Sequence, residues 1–125
     1  ADTPEAYRHR LRLLRQGLQA WMAGSTQPAG MPRYGDWVAG IVAALDHVRT
    51  QCEGTVLLVS SGGPIGTVVG HVLGTSPETT IDLNYRMRNS AITELTFTPQ
   101  RHLLVTYNHL PHLDHPERRD WVTFT

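Results

Sequence analysis

Residues 55–73 constrain the fold of this chain more than any other stretch. Thr55 to Val59 is an unbroken run of β-branched residues and leucines, set between Gly54 and the turn Ser60-Ser61-Gly62-Gly63-Pro64. A run without polar alternation suits a strand buried on both faces, as in a parallel sheet covered by helices. Beyond the turn, Ile65, Val68, Val69, Val72 and Leu73 recur at helical spacing. The unit is strand, tight glycine turn, helix, and a chain built around it is expected to be an α/β domain.

The flanking segments agree with that class. Thr3-Pro4 reads as an N-cap followed by proline at the first helical position. Leu11, Leu14, Leu18, Trp21 and Met22 then share one helical face, and Gly24 closes the helix. After a Ser/Pro/Gly loop over 25–35, Asp36 can cap a second helix striped by Val38, Ile41, Val42, Leu45 and Val48. Ser76-Pro77-Glu78 opens a short helical turn towards Leu83. Residues 91–98 alternate like a strand, Pro99-Gln100 turns, and 103–107 pair back as a hairpin. The tail from Asn108 is polar and rich in histidine. No repeat or linker divides the sequence, so residues 1–125 are expected to form one domain.

Composition narrows the partners. At 125 residues, with 40% apolar and 18% charged, the chain is globular and large enough to bury a core. Eleven arginines balance eleven acidic residues, so net charge calls for neither nucleic acid nor an anionic membrane. The complete lack of lysine is most simply a base-composition bias of the source. A single cysteine, Cys52, excludes an internal disulfide and fits a reducing, cytoplasmic compartment. No apolar run approaches the ~20 residues that span a bilayer, and the N-terminus carries no signal-peptide pattern. The first residue is Ala1 rather than methionine, which points to a trimmed, cleaved or partly observed polypeptide.

The turn at Ser60 to Pro64 is the strongest local candidate for chemistry. Ligands of parallel α/β sheets bind at the carboxyl ends of strands, and a helix N-terminus there offers free N–H groups to an anion. A tight turn that needs glycine only for its backbone reads equally well. The Gly-x-Ser-x-Gly pattern of serine hydrolases fails, because Val59 stands two before Ser61 and Leu58 two before Ser60. A P-loop needs lysine, and Gly62, Gly63 and Gly66 do not keep a dinucleotide spacing. His109, His112 and His115 recur every three residues, but Pro111 and Pro116 argue against one helix aligning them. Only Asp114 and Glu117 supply nearby carboxylates, and no metal or other cofactor is expected. His9, His47 and His71 fall on helices, at their surfaces.

The stretch Val56-Leu-Leu-Val-Ser-Ser-Gly-Gly-Pro-Ile65 resembles the histidine phosphatase (phosphoglycerate-mutase-like) superfamily, in which a strand ends at Ser-His-Gly-Gly. Asn89-Ser90-Ala91-Ile92-Thr93-Glu94-Leu95 is similar to that family's Asn-led strand, and Tyr107-Asn108 with His112-Leu113 to its Asn-x-x-x-His-Leu ending. The resemblance implies a three-layer α/β/α fold with a mostly parallel sheet and a C-terminal hairpin. It also implies a histidine nucleophile in an N-terminal Arg-His-Gly, and a phosphate clamped by a second histidine, two arginines and an acid. This chain departs twice. Arg8-His9-Arg10 lies mid-helix and Arg101-His102-Leu103 lacks the glycine, so the resemblance implies the C-terminal part of such a domain, with the first strand expected to be missing. Ser61 stands where the second histidine would be.

By that resemblance Ser61 replaces a catalytic residue, Ser60, Gly62 and Gly63 contact phosphate, and Asn89 supports the site. Arg86 and Arg88 stand just before the Asn89 strand. The implied partner is phosphate or a phosphorylated small molecule, and the isolated chain is expected to be inactive. The rival expectation is a non-catalytic domain that keeps the fold for binding or assembly, as a homo-oligomer or paired with the missing N-terminal segment.

Overall fold

A computed structural model describes residues 3–124. Its order is α1 (Pro4–Met22), α2 (Tyr34–Gln51), α3 (Gly62–Leu73), α4 (Pro77–Tyr85), β1 (Ile92–Phe97), β2 (His102–His109) and two short 3₁₀ turns, Pro111–Leu113 and Pro116–Trp121. Two compact units are distinguished, Ala1–Ala39 and Gly40–Thr125. No helix among the described residues is long and apolar enough to cross a membrane.

In the first unit, α1 starts as its sequence directs. Thr3 Oγ1 accepts from Ala6 N at 3.1 Å, and Pro4 occupies a position whose N–H would have no helical partner. Only Trp21 of the expected stripe is buried; Leu14 is 51% exposed. Trp21 donates its indole N–H to the Pro32 carbonyl at 3.0 Å. Its ring meets those of Tyr34 and Trp37 at 5.1 and 5.4 Å, an aromatic cluster rather than a leucine seam. The second helix starts two residues before Asp36, which therefore serves its first turn rather than its cap. Its carboxylate still favours that end of the helix dipole.

The second unit is organised by α3 and α4. Glycines at 62, 66 and 70 recur every four residues, so they form one ridge on α3. A Cβ on Gly66 would sit 3.1 Å from the Asn84 backbone N, and one on Gly70 would sit 2.7 Å from Thr80 Oγ1. The lack of side chains lets α4 lie against this ridge. Val69 and Ile81 are the most deeply buried residues, at 0% and 1% exposure. Gly74, at φ 70°, ends α3 in a left-handed conformation that glycine adopts without strain. Ser76 then caps α4, its hydroxyl accepting from Thr79 N at 3.2 Å.

The chain is mixed α/β, and the strands it pairs among the described residues are antiparallel. Among those residues the sheet has two strands, β1 and β2, paired from Phe97↔His102 to Ile92↔His109 with irregular register near Glu94. The hairpin and its Pro99-Gln100 turn are where the alternation placed them. Thr55 to Val59 belongs to neither strand. A strand exists by exchanging hydrogen bonds with a neighbour, and this segment has no such neighbour among the described residues. Val56 is half-buried, whereas Leu57, Leu58 and Val59 are 85%, 63% and 91% exposed. The apolar run is therefore uncovered where burial on both faces was expected.

Candidate functional site at the start of helix α3

The turn after residue 59 delivers the chain into α3 with its donors free. Ser61 is the N-cap, extended at φ −117° and ψ 173°, and its side chain makes no capping hydrogen bond. Its carbonyl accepts from Ile65 N at 3.1 Å. The next two N–H groups, on Gly62 and Gly63, precede the first intrahelical bond and have no helical acceptor. Pro64 contributes no third donor. Two backbone donors, the exposed Ser60 and Ser61, and the positive end of the helix dipole thus share one turn.

The two glycines differ. A Cβ on Gly63 would meet nothing within 4 Å, so that side of the turn is open to a ligand. A Cβ on Gly62 would meet Asn84 Oδ1 at 2.7 Å and Met87 at 3.5 Å. Asn84 and buried Met87 therefore back the turn from behind. Neither residue stood out in the sequence, since an isolated asparagine and methionine carry no motif. Thr67, one turn further on, donates its hydroxyl to the Gly63 carbonyl at 2.9 Å and anchors the helix start.

Asn89 has a different set of contacts. Its backbone N–H and Nδ2 both go to Thr123, at 2.9 Å each, which ties the residue before β1 to the C-terminal segment. The expected support of the phosphate turn by Asn89 is not carried by these two bonds. Arg88 is engaged as well: its backbone N donates to Asn108 Oδ1 at 2.8 Å, and its guanidinium donates to the Asn108 carbonyl. Asn108 Nδ2 reaches the Arg86 carbonyl at 2.6 Å. The Asn108 amide thus pairs a donor and an acceptor with the backbone of 86–88, as a strand would. Its φ of 60° is the left-handed region that asparagine tolerates. Tyr107 donates its hydroxyl to the Leu83 carbonyl, and burial pushes its phenol pKa up. Tyr107-Asn108, read in the sequence only as a family ending, latches β2 to the end of α4.

The tail histidines are dispersed. His109 ends β2, His112 Nε2 lies 3.0 Å from Ser90 Oγ, and His115 Nδ1 accepts from Glu117 N at 3.2 Å. No group of three His, Cys, Asp or Glu side chains able to hold a metal occurs among the described residues.

Against models of protein families, residues 4–110 match the histidine phosphatase superfamily (branch 1). Comparison with curated proteins and with solved structures returned no match.

Proposed function

The chain belongs to the histidine phosphatase superfamily, and on that premise we propose that it is the part of a phosphate-monoester-handling domain that holds phosphate rather than attacks it. The observation carrying this reading is the uncapped start of α3. Ser61 leaves the Gly62 and Gly63 N–H groups free, and Gly63 faces open space. In this scheme those N–H groups and the Ser60 and Ser61 hydroxyls donate to phosphate oxygens, and Asn89 acts at one remove by fixing the entry to β1. Serine at 61 donates a hydrogen bond but brings no positive charge, so the clamp is weaker than an imidazolium would make it.

Attack on phosphorus needs a nucleophile that this chain does not place at the turn. His9 lies within α1 and His102 opens β2, neither in an Arg-His-Gly. The 125-residue polypeptide is accordingly a binding half, silent in hydrolysis until an N-terminal Arg-His-Gly segment joins it. That segment would also complete the parallel sheet of a three-layer domain beside residues 55–59, in a cytoplasmic phosphatase. Amide NMR during a titration with inorganic phosphate tests the site. Saturable shifts at Gly62 and Gly63 are expected, and Ser61→His should tighten binding below the ordinary histidine pKa of about 6.5, where imidazole is charged. Unmoved Gly62 and Gly63 amides would refute the placement.

A second reading, a non-catalytic assembly domain, is favoured by one observation. Residues 57–59 expose apolar side chains on a segment with unpaired backbone, a template for another strand. Sedimentation of the 125-residue protein decides it: a clean monomer at micromolar concentration excludes self-assembly.

A further inference from the structure

Away from the α3 turn, one open bowl collects charge from three elements of the second unit. Asp46 and Arg49 come from α2, His71 from the last turn of α3, and Arg101 and His102 from the hairpin. Its volume is about 250 Å³, below the roughly 300–1,000 Å³ of pockets that enclose drug-sized ligands. A small ion fits; a nucleotide does not.

The cation-bearing groups outnumber the single carboxylate, and that carboxylate is taken. Arg49 Nη2 donates to Asp46 Oδ1 at 3.1 Å while Nη1 donates to the Pro99 carbonyl, so the guanidinium is clamped between α2 and the hairpin turn. A fixed guanidinium with N–H groups to spare is a preorganised anion donor. Arg101 is held at its backbone, its N–H donating to Thr98 Oγ1 at 3.3 Å and its carbonyl accepting from Thr98 N at 2.9 Å. Its side chain has no partner among the described residues. His102 Nε2 is shut off from solvent and also has no hydrogen-bond partner. Buried polar atoms are normally satisfied, and a small movement of the His102 ring towards the bowl would let a bound ion satisfy this one.

We propose that this bowl is a second anion site, separate from the α3 turn, which takes a small tetrahedral oxyanion dianion between Arg49, Arg101, His71 and His102. His71 stands nine residues along α3 from Gly62, about 14 Å at the helical rise, so the site does not depend on the phosphate reading of the turn. The protonation of His102 agrees with the geometry. Burial lowers its pKa first, then Arg49 and, more weakly, His71; Asp46 acts the other way. A bound dianion reverses that field and favours the protonated imidazole. By linkage, binding tightens as pH falls.

Sulfate is the suitable probe, because its charge does not change between pH 6 and 8. The 125-residue protein is titrated with sodium sulfate against sodium chloride at equal ionic strength, reading the imidazole Cε1–H resonances of His71 and His102. Saturable shifts of both are expected, with affinity falling at least about fivefold from pH 6 to pH 8. Arg101→Gln, an exposed change, should weaken binding about tenfold, the loss of one charge-assisted hydrogen bond, without moving Tm. Ser61→Ala should leave it unchanged. Shifts that only track ionic strength, binding that survives Arg101→Gln, or a response confined to the amides of residues 60–63 would each overturn the proposal.

Discussion

Replacing Gly70 by alanine tests the packing of the second unit at its closest point. A Cβ there would lie 2.7 Å from Thr80 Oγ1, 2.8 Å from Thr75 Oγ1 and 3.3 Å from Thr80 Cγ2. Turning Thr80 about χ1 does not help, because its methyl moves in where its hydroxyl moves out. The two hydroxyls are also bonded to each other at 2.8 Å, and that bond is lost on separation. Overpacking of this kind costs about 1–3 kcal/mol, the lost hydrogen bond about 1 kcal/mol, and the better helix propensity of alanine returns up to about 1 kcal/mol. The expected net loss is about 2 kcal/mol. For a chain of this size that lowers Tm by roughly 8 °C.

Gly40→Ala is the control, since Gly40 is also helical and a Cβ there meets nothing within 4 Å; it should stabilise by about 0.5–1 kcal/mol. Thermal unfolding followed by circular dichroism reads both. Adding Thr80→Ala to Gly70→Ala removes the two Thr80 atoms, leaving Thr75 Oγ1 free to turn away once its partner hydroxyl is gone, and should recover about 1 kcal/mol relative to additivity. If Gly70→Ala raised Tm as Gly40→Ala does, or if the double variant were additive, the close approach of α3 and α4 would be wrong.

Three other perturbations bear on the latch and the exposed run. Asn108→Leu loses both side-chain bonds and puts a branched residue at φ 60°, so denaturant titration should show a loss of about 3 kcal/mol, with Asn108→Gly losing about 1 kcal/mol less because glycine carries no penalty there. Tyr107→Phe forfeits the bond to the Leu83 carbonyl, about 1 kcal/mol at neutral pH. Because burial raises the Tyr107 pKa, its contribution is whole below the unfolded value of about 10 and is lost as pH rises through the folded value. The gap between wild type and Tyr107→Phe should therefore close in alkaline unfolding curves, and a gap that widens would contradict the buried phenol. Leu57→Lys with Val59→Lys places charge on an already exposed edge, so sedimentation should show less self-association with Tm within about 1 °C of wild type; unchanged association would locate the contact elsewhere.

Much of the fold is legible residue by residue. Thr3-Pro4 and Ser76-Pro77 each announce a helix start because a hydroxyl and a missing N–H solve the same end problem. The Pro99-Gln100 hairpin follows from alternation on either side of a turn. Asp36 misled by two residues, since an acid is favourable anywhere in a first turn and so does not mark the cap itself. The family, too, was readable in the order of motifs from Val56 to Leu113, and its model covers residues 4–110.

The candidate site was half legible. Ser60 to Gly63 stand together because neighbours in sequence share a turn. Asn84 and Met87 could not be foreseen behind Gly62, because only the crossing of α4 over the glycine ridge brings them there. The grouping of Asp46, Arg49, His71 and His102 likewise joins three segments that no spacing rule connects.

The sequence by itself determined which residues turn helical, where the hairpin bends, and that residues 55–59 are apolar throughout. Those properties are local: they depend on caps, prolines, glycines and the periods of 3.6 and 2. Tertiary structure alone decided that residues 55–59 join no strand among the described residues, that Asn108 fastens the backbone of 86–88, and that charged side chains of α2, α3 and the hairpin line one bowl. Each of these depends on which surfaces meet. A strand needs a neighbour's amides, a latch needs a carbonyl across the gap, and a charge cluster needs separate elements to converge.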